Sequence, residues 1–493
     1  MAKWQSRLLL FLLLFLLSVK ATQAREISCQ DRYLTLVNPV RGRDLWADKS
    51  LVPLMNQYSL IKERGFSATW LLQYDSLEDQ QLINEIKNFN SQQELGIFLE
   101  ISEDLAHAAR VTYPPLFDWA SPRVIFLSGY EISERRQLID KVFGEFKKEF
   151  GYYPQSVGAW WLDSYSLNYM KRKYDIQVAL IVADQKTTDD YGVWGQWWGV
   201  SYYPTKTNIL VPAREGNKED VVIIQWAQRH PDLAYGEGPA FSNYSLQAND
   251  YTSLGKNTTF FEELINIYSD CTNPISQVTV GLETGIESAA FLDEYERQLN
   301  VLKSKAYLNL VTMTQFSDKF RQIYPDFPKK VKISGKTIWE MNIFYRKNEK
   351  LGDLVIYDPK AIWADYFTPD ESEFLNRRLP ELKNVGNWQE WLKLYLSSIP
   401  NFVIGPGSVL GLVRVSFLSD RFYLGLAFDA FRFVGLSFAK PFDLNFVNQD
   451  FFNLKYFLDP DLDRFLVYLT LALLVIYFGS KLTRKISKHA NRN

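Results

Sequence analysis

The stretch Tyr33-Leu-Thr-Leu-Val37, followed by Leu51–Arg64 and then by Ala68-Thr-Trp-Leu-Leu72, decides the fold. Its outer pieces are short and nearly continuously apolar, whereas the middle piece repeats apolar positions at three and four. Strand, helix and strand in that order, with strands apolar on both faces, describe a parallel sheet covered outside by helices. The alternation continues outward. Further strands are predicted at Leu95–Glu100, Val124–Leu127, Val157–Trp161, Val178–Ala183, Val221–Gln225, Val278–Glu283 and Leu308–Met313. Helices are predicted at Leu77–Asn88, Glu134–Glu149, Ser164–Lys173 and Ala289–Lys303. About seven to nine such units in roughly 290 residues favour a (β/α)7-8 barrel over an open sheet.

From about Phe327 the texture changes. Lys332–Arg346 and Leu354–Asp358 alternate as a hairpin does, and Val409–Phe438 alternates around Gly411 and the charged pair Asp420–Arg421, so a small β-rich region is expected over 327–458. The two ends carry targeting signals. Lys3 and Arg7 precede the uncharged run Leu8–Val19, and small Thr22 and Ala24 follow at the spacing of a cleavage site, so residues 1–24 read as a signal peptide. An uncleaved anchor is the alternative, although the run is short for a hydrocarbon core of about 30 Å. Residues 464–480 contain the apolar run Phe465–Gly479, and Lys481, Arg484, Lys485, Lys488 and Arg492 follow in the tail 481–493. By the positive-inside rule that tail is cytoplasmic and the bulk of the chain, including a barrel over 25–326, is extracytoplasmic. A buried C-terminal core helix is the other reading of the apolar run.

Charge narrows the partners. Lys+Arg number 55 against 57 Asp+Glu, so no overall field draws the chain to nucleic acid, which is not an expected partner. Cys29 and Cys271 are the only cysteines, too few for a thiolate metal cluster. On the barrel reading both lie at the N-terminal rim on strands that become neighbours when the ring closes, where a disulfide would staple the closure; two unpaired buried cysteines are the alternative.

The strand ends Leu34-Thr-Leu-Val-Asn-Pro-Val-Arg41, Ala68-Thr-Trp-Leu-Leu-Gln-Tyr74, Gln93-Glu-Leu-Gly-Ile-Phe-Leu-Glu100 and Tyr153-Pro-Gln-Ser-Val-Gly-Ala-Trp160 resemble the polysaccharide deacetylase superfamily over about residues 30–320. Gly158-Ala-Trp-Trp-Leu-Asp163 is similar in outline to a strand end of certain retaining glycoside hydrolase barrels. The resemblance implies a divalent metal held by an Asp after the first strand and by two His four apart after the third. This chain departs from that pattern. Its first strand ends in Asn38-Pro-Val-Arg41, its third continues Phe98-Leu-Glu-Ile-Ser-Glu-Asp104, and its three histidines, His107, His230 and His489, form no such pair. No metal site and no cofactor are therefore expected.

In such barrels the chemistry sits at the C-terminal strand ends. Asp163, Asp184, Glu283 and Glu100 are the catalytic candidates, because glycosidic hydrolysis needs two carboxyl groups and one of them kept protonated. Alternatively these acids are held by Arg41 or by helix N-termini. Asn38, Arg41, Trp161, Gln185 and Trp226 are candidate substrate contacts. The segment 184–204 is the most distinctive, and its Trp194, Trp197, Trp198 and Tyr202 read either as a sugar-stacking platform or as a plug that packs a loop on the barrel. The expected partners are a glycan or cell-envelope polysaccharide and the membrane, through the C-terminal helix. Three activities follow: metal-independent glycan hydrolysis by a carboxylate pair, glycan binding or envelope assembly without catalysis, and atypical deacetylation.

Overall fold

The computed structural model describes residues 31–114, 122–188, 191–236, 238–357 and 383–384. The expected signal peptide, the alternating stretch Val409–Phe438, the apolar run at 464–480 and the basic tail lie outside these residues. Among the described residues no helix is long and apolar enough to cross a membrane.

Parallel strands form a nearly closed ring. In chain order they are β1 (Arg32–Val40), β2 (Ala68–Leu72), β3 (Gln93–Phe98), β4 (Ser156–Gly158) and β5 (Val178–Val182). A short hairpin follows, β6 (Gln185–Thr188) and β7 (Tyr191–Val193), and then β8 (Val222–Trp226), β9 (Ser276–Val280) and β10 (Asn309–Val311). Strands β1, β2, β3, β4, β5 and β8 pair in that order, and β9 pairs with the other edge of β1 in the register Arg32↔Ser276 to Leu36↔Val280. Strand β10 pairs with Tyr33–Thr35 of β1, and β2 pairs with Val37–Val40.

The Gln228 side chain bridges the seam between β8 and β9. The Gln228 amide accepts from Thr279 N–H at 2.9 Å and donates to the Gln277 carbonyl at 3.0 Å, the two bonds that a neighbouring strand would make. Gln277 in turn donates to Thr35 Oγ1 (2.8 Å) and Thr279 Oγ1 (2.7 Å), which fixes the polar interior layer. At the same seam β9 leaves no room for a side chain at Gly281. A Cβ there would overlap the Val37 carbonyl oxygen and meet the Trp226 indole at 2.6 Å. Gly281→Ala is expected to destabilise the barrel by about 1–3 kcal/mol, because backbone must move to admit the methyl group. A lowered urea midpoint with unchanged slope is the predicted readout; an unchanged midpoint would show that the seam can yield.

Helices cover the ring where the periodicity predicts most of them, although Leu77–Asn88 is split into Tyr74–Glu78 and Gln80–Ile86 and the helix Thr258–Tyr268 is not among those predicted. Val52–Glu63, Ile132–Phe150, Ser164–Tyr174, Thr258–Tyr268 and Ser288–Ser304 bury their apolar stripes against fully buried strands such as Ala68-Thr-Trp-Leu-Leu72. One prediction fails here. Val124–Leu127 is not a strand but a short helix, Pro122–Ile125, running into a 3-10 turn at Leu127–Gly129. A four-residue apolar run does not distinguish a strand from a buried helical turn, and this one lies over the barrel with Ile101 N–H on the Ile125 carbonyl at 2.9 Å.

The described part of the C-terminal region is an antiparallel meander: β11 (Lys330–Ser334), β12 (Ile338–Asn342), β13 (Tyr345–Asn348) and β14 (Asp353–Ile356). Its buried face shares the barrel's apolar core through Val331, Ile333, Trp339, Met341 and Val355. Cys271 is disulfide-bonded. Cys29, the partner expected from the sequence, lies outside the described residues, three positions before Arg32, whose β9 partner is Ser276.

Candidate functional site

Period-two alternation along β1 sends Arg41 to the barrel mouth and Asn38 to the opposite face. The Arg41 guanidinium grips Glu100, beyond the end of β3, through Nε (2.5 Å) and Nη2 (2.8 Å), and its Nη1 pairs with Glu283, three residues past β9. The two carboxylates differ in exposure. The Glu100 side chain is 0% exposed and that of Glu283 is 13% exposed, so Glu100 is the fixed counter-ion and Glu283 the one facing solvent. Burial alone would lower the Arg41 pKa, but the Glu100 and Glu283 carboxylates hold it above its ordinary value. Trp46 Nε1 bonds the Arg41 carbonyl at 3.0 Å and fixes its backbone.

Aromatic rings wall this network. Arg41 Cζ lies 5.4 Å from the Phe98 ring centre and 5.8 Å from that of Trp160, and Trp160 lies 5.5 Å from Trp226. Trp226 Nε1 donates to Gln247 (3.1 Å), whose amide donates to Glu287. Glu287 also accepts the Glu283 backbone N–H at 3.0 Å. Burial, and then the neighbouring Glu283 carboxylate, push the Glu287 carboxyl well above the usual carboxylate range. The mouth thus holds two carboxyl groups four residues apart, Glu283 paired with Arg41 and Glu287 pushed towards its protonated form by burial. Neither Glu287 nor Trp160 was among the residues picked from the sequence; the Glu283–Glu287 spacing on the turn leading into helix Ser288–Ser304 is the signal that points to the first.

Asp75, after β2, lies at the rim beside Asp44 and donor Ser102. Its pKa is pushed up to about 6 from 3.8, by burial first and by Asp104, Asp44 and Glu78 in addition, against the Ser102 bond. Because the folded pKa lies above the unfolded one, Asp75 costs nothing below about pH 4, and its penalty grows as pH rises through about 6, reaching up to about 3 kcal/mol. Asp75→Asn is expected to raise the melting temperature at pH 7.5 and to leave it unchanged at pH 4. Equal shifts at both values would contradict this assignment.

The other acids from the sequence serve the scaffold. Asp163 caps helix Ser164–Tyr174 through Ser166 N–H (2.8 Å) and pairs with buried Arg135 (3.1 Å). Asp184 is buried, accepts from Gly195 N–H (2.7 Å) and pairs with Arg346 of β13 (2.6 Å). Burial raises its pKa even though Arg346 lowers it. Neither acid joins Glu283, so of the four catalytic candidates only Glu100 and Glu283 meet, and they meet through Arg41.

The predicted substrate contacts divide in the same way. Asn38 accepts from Gln57 (2.7 Å) and Tyr295 (3.2 Å), beneath the covering helices rather than at the mouth. Gln185 is buried against Arg229, and Trp161 is 2% exposed. The aromatic loop is the plug. Trp197 donates to the Asn342 carbonyl (2.9 Å), Trp198 stacks on Trp339 at 4.2 Å and 7°, Trp194 lies beside Arg346, and Tyr202 donates to the Ile209 carbonyl (2.8 Å). A stacking platform needs open ring faces, and Trp197, Trp198 and Tyr202 are at most 2% exposed. Arg41 and Trp226 lie at the mouth, where both are buried, at 5% and 3% exposure.

The residues present do not fit a divalent ion. A guanidinium stands between the two strand-end carboxylates, and among the described residues no group of three or more His, Cys, Asp or Glu could hold a metal. His107 is exposed near Glu103, whereas His230 is buried and accepts Asp232 N–H at 3.1 Å.

No protein-family model and no curated protein matches the chain. Among solved structures it is similar to a protein assigned as a glycoside hydrolase/deacetylase from Parabacteroides distasonis, with 16% identity over 67% of this chain and 82% of that one and a TM-score of 0.48. It is also similar to PuuE allantoinase (9% identity, 60% of this chain and 92% of that one, TM-score 0.38). A third likeness is to the peptidoglycan deacetylase PdaC from Bacillus subtilis (9% identity, 60% and 99%, TM-score 0.30).

Proposed function

We propose that the chain is a membrane-anchored, extracytoplasmic glycan-binding protein built on a deacetylase-type barrel, and that the barrel mouth is its binding site. The observation that carries this reading is the Arg41 clamp. An arginine neutralises and occupies the two strand-end carboxylates, so they are not a free catalytic pair, while the half-buried Glu283 and Gln247 side chains leave polar groups at the mouth for a sugar's hydroxyls. Residues 464–480, apolar and followed by the basic tail, supply the anchor.

A second reading draws on Glu287. A carboxyl whose pKa burial raises, beside a second carboxylate, resembles the acid and base arrangement of glycosidic hydrolysis. One experiment separates them. The detergent-solubilised full chain is titrated with solubilised envelope glycans while released reducing ends are measured. Binding without release is expected; release abolished by Glu283→Gln or Glu287→Gln would replace the binding reading with hydrolysis.

A further inference from the structure

We infer that the floor of the barrel, at the end opposite the mouth, binds one buried water molecule shared by the Ser276 and Tyr324 hydroxyls. The floor encloses a cavity of about 20 Å³ where the start of β9, the helix Met313–Ile323 and β11 meet. Six polar side chains stand on its wall, and four of them have partners. Ser201 donates to Gln277 at 3.3 Å, Gln277 donates to Thr35 and Thr279, and Tyr268 donates to the Arg229 carbonyl at 2.6 Å. Asn273 clasps the backbone of Lys332, donating to its carbonyl at 2.7 Å and accepting its N–H at 2.9 Å. Ser276, which is 8% exposed, and Tyr324 are left over. Both hydroxyl oxygens are buried, and neither has a hydrogen-bond partner among the described residues.

A buried hydroxyl without a partner forfeits the hydrogen bonds it made to water in the unfolded chain, so two of them on one cavity call for a ligand that bonds to both. Volume decides which ligand. About 10–15 Å³ admits one water, whereas a pocket for an organic molecule runs to about 300–1,000 Å³. A cavity of about 20 Å³ therefore takes a water and excludes a sugar or a lipid chain. Polarity agrees, because cavities that stay dry are apolar throughout, and this one carries two hydroxyls among Phe316, Phe320, Val331 and Ile333. Burial pushes the Tyr324 hydroxyl up to about 12, an environment that favours a neutral partner over an ion.

The test is thermal denaturation of the full chain in detergent, comparing wild type with Ser276→Ala, Tyr324→Phe and the double variant. With the water in place, each single substitution strips it of one partner and is expected to lower the melting temperature by about 2 °C. The double variant should lose less than the sum of the two, because both hydroxyls bond the same molecule. In a dry cavity each substitution removes a hydroxyl that had no partner, and the melting temperature would rise. A rise or no change in either single variant overturns the inference, as do losses that simply add. If a variant does not fold, a crystal structure of the wild-type chain at a resolution that shows ordered solvent decides instead. Solvent density within about 3 Å of both hydroxyl oxygens is expected there, and a floor without it overturns the inference.

Discussion

Arg346→Met is expected to lower the unfolding free energy by about 3–5 kcal/mol, the range for removing one partner of a buried ion pair. Arg346 is fully buried, 2.6 Å from Asp184 and 3.2 Å from Asp353, and it donates to the Gln196 carbonyl at 2.7 Å. Its Cζ lies between 5.3 and 5.8 Å from the ring centres of Trp339, Trp194 and Trp198. Methionine would fill much of the volume but leave two carboxylates without a counter-charge among tryptophans. Urea denaturation followed by tryptophan fluorescence is the measurement. Because the loss is mainly stranded charge, adding Asp184→Asn and Asp353→Asn should recover part of it. If the single variant matches wild type, the meander is not welded to the barrel through this residue.

Arg41→Met should be comparably severe, again about 3–5 kcal/mol, because Glu100 has no exposure through which to recover hydration. The expected ordering tests the asymmetry of the clamp. Glu283→Gln, at the solvent side, should cost about 1 kcal/mol, within the range for one net hydrogen bond. Arg41→Lys should fall between, because an ammonium group keeps the charge but cannot reproduce the two-pronged grip on Glu100. Thermal melts of the three variants give the order directly. A Glu283→Gln loss as large as that of Arg41→Met would mean that Glu283 is as structural as Glu100 and is not available to a ligand.

The barrel was legible because its signals are local. Apolar runs such as Ala68–Leu72 and amphipathic stretches such as Leu51–Arg64 carry their period within a dozen residues, and the corresponding elements appear with ends shifted by a few positions. Val124–Leu127 was illegible because four apolar residues satisfy a strand and a helical turn equally. The candidate site was half legible. Sequence placed Arg41, Glu100 and Glu283 at strand ends, but the clamp joins residues separated by 59 and 242 positions, and no local pattern encodes that. The same holds for Asp184, whose partner Arg346 is 162 residues away. Parity offered more than was taken from it, since Asn38 and Arg41, three apart on one strand, must face opposite ways. The aromatic loop was ambiguous for a chemical reason: flat apolar rings bordered by polar groups suit a sugar and a core alike, and only the surface of the meander opposite decides.

Hydrogen–deuterium exchange of the full chain, with and without a solubilised envelope glycan, tests the central claim most directly. The account predicts new protection confined to the mouth, in segments 41–46, 98–103, 160–163, 226–228 and 283–287, with the 194–203 loop unchanged. Protection of that loop or of a distant surface, with the mouth segments exchanging as before, would contradict it.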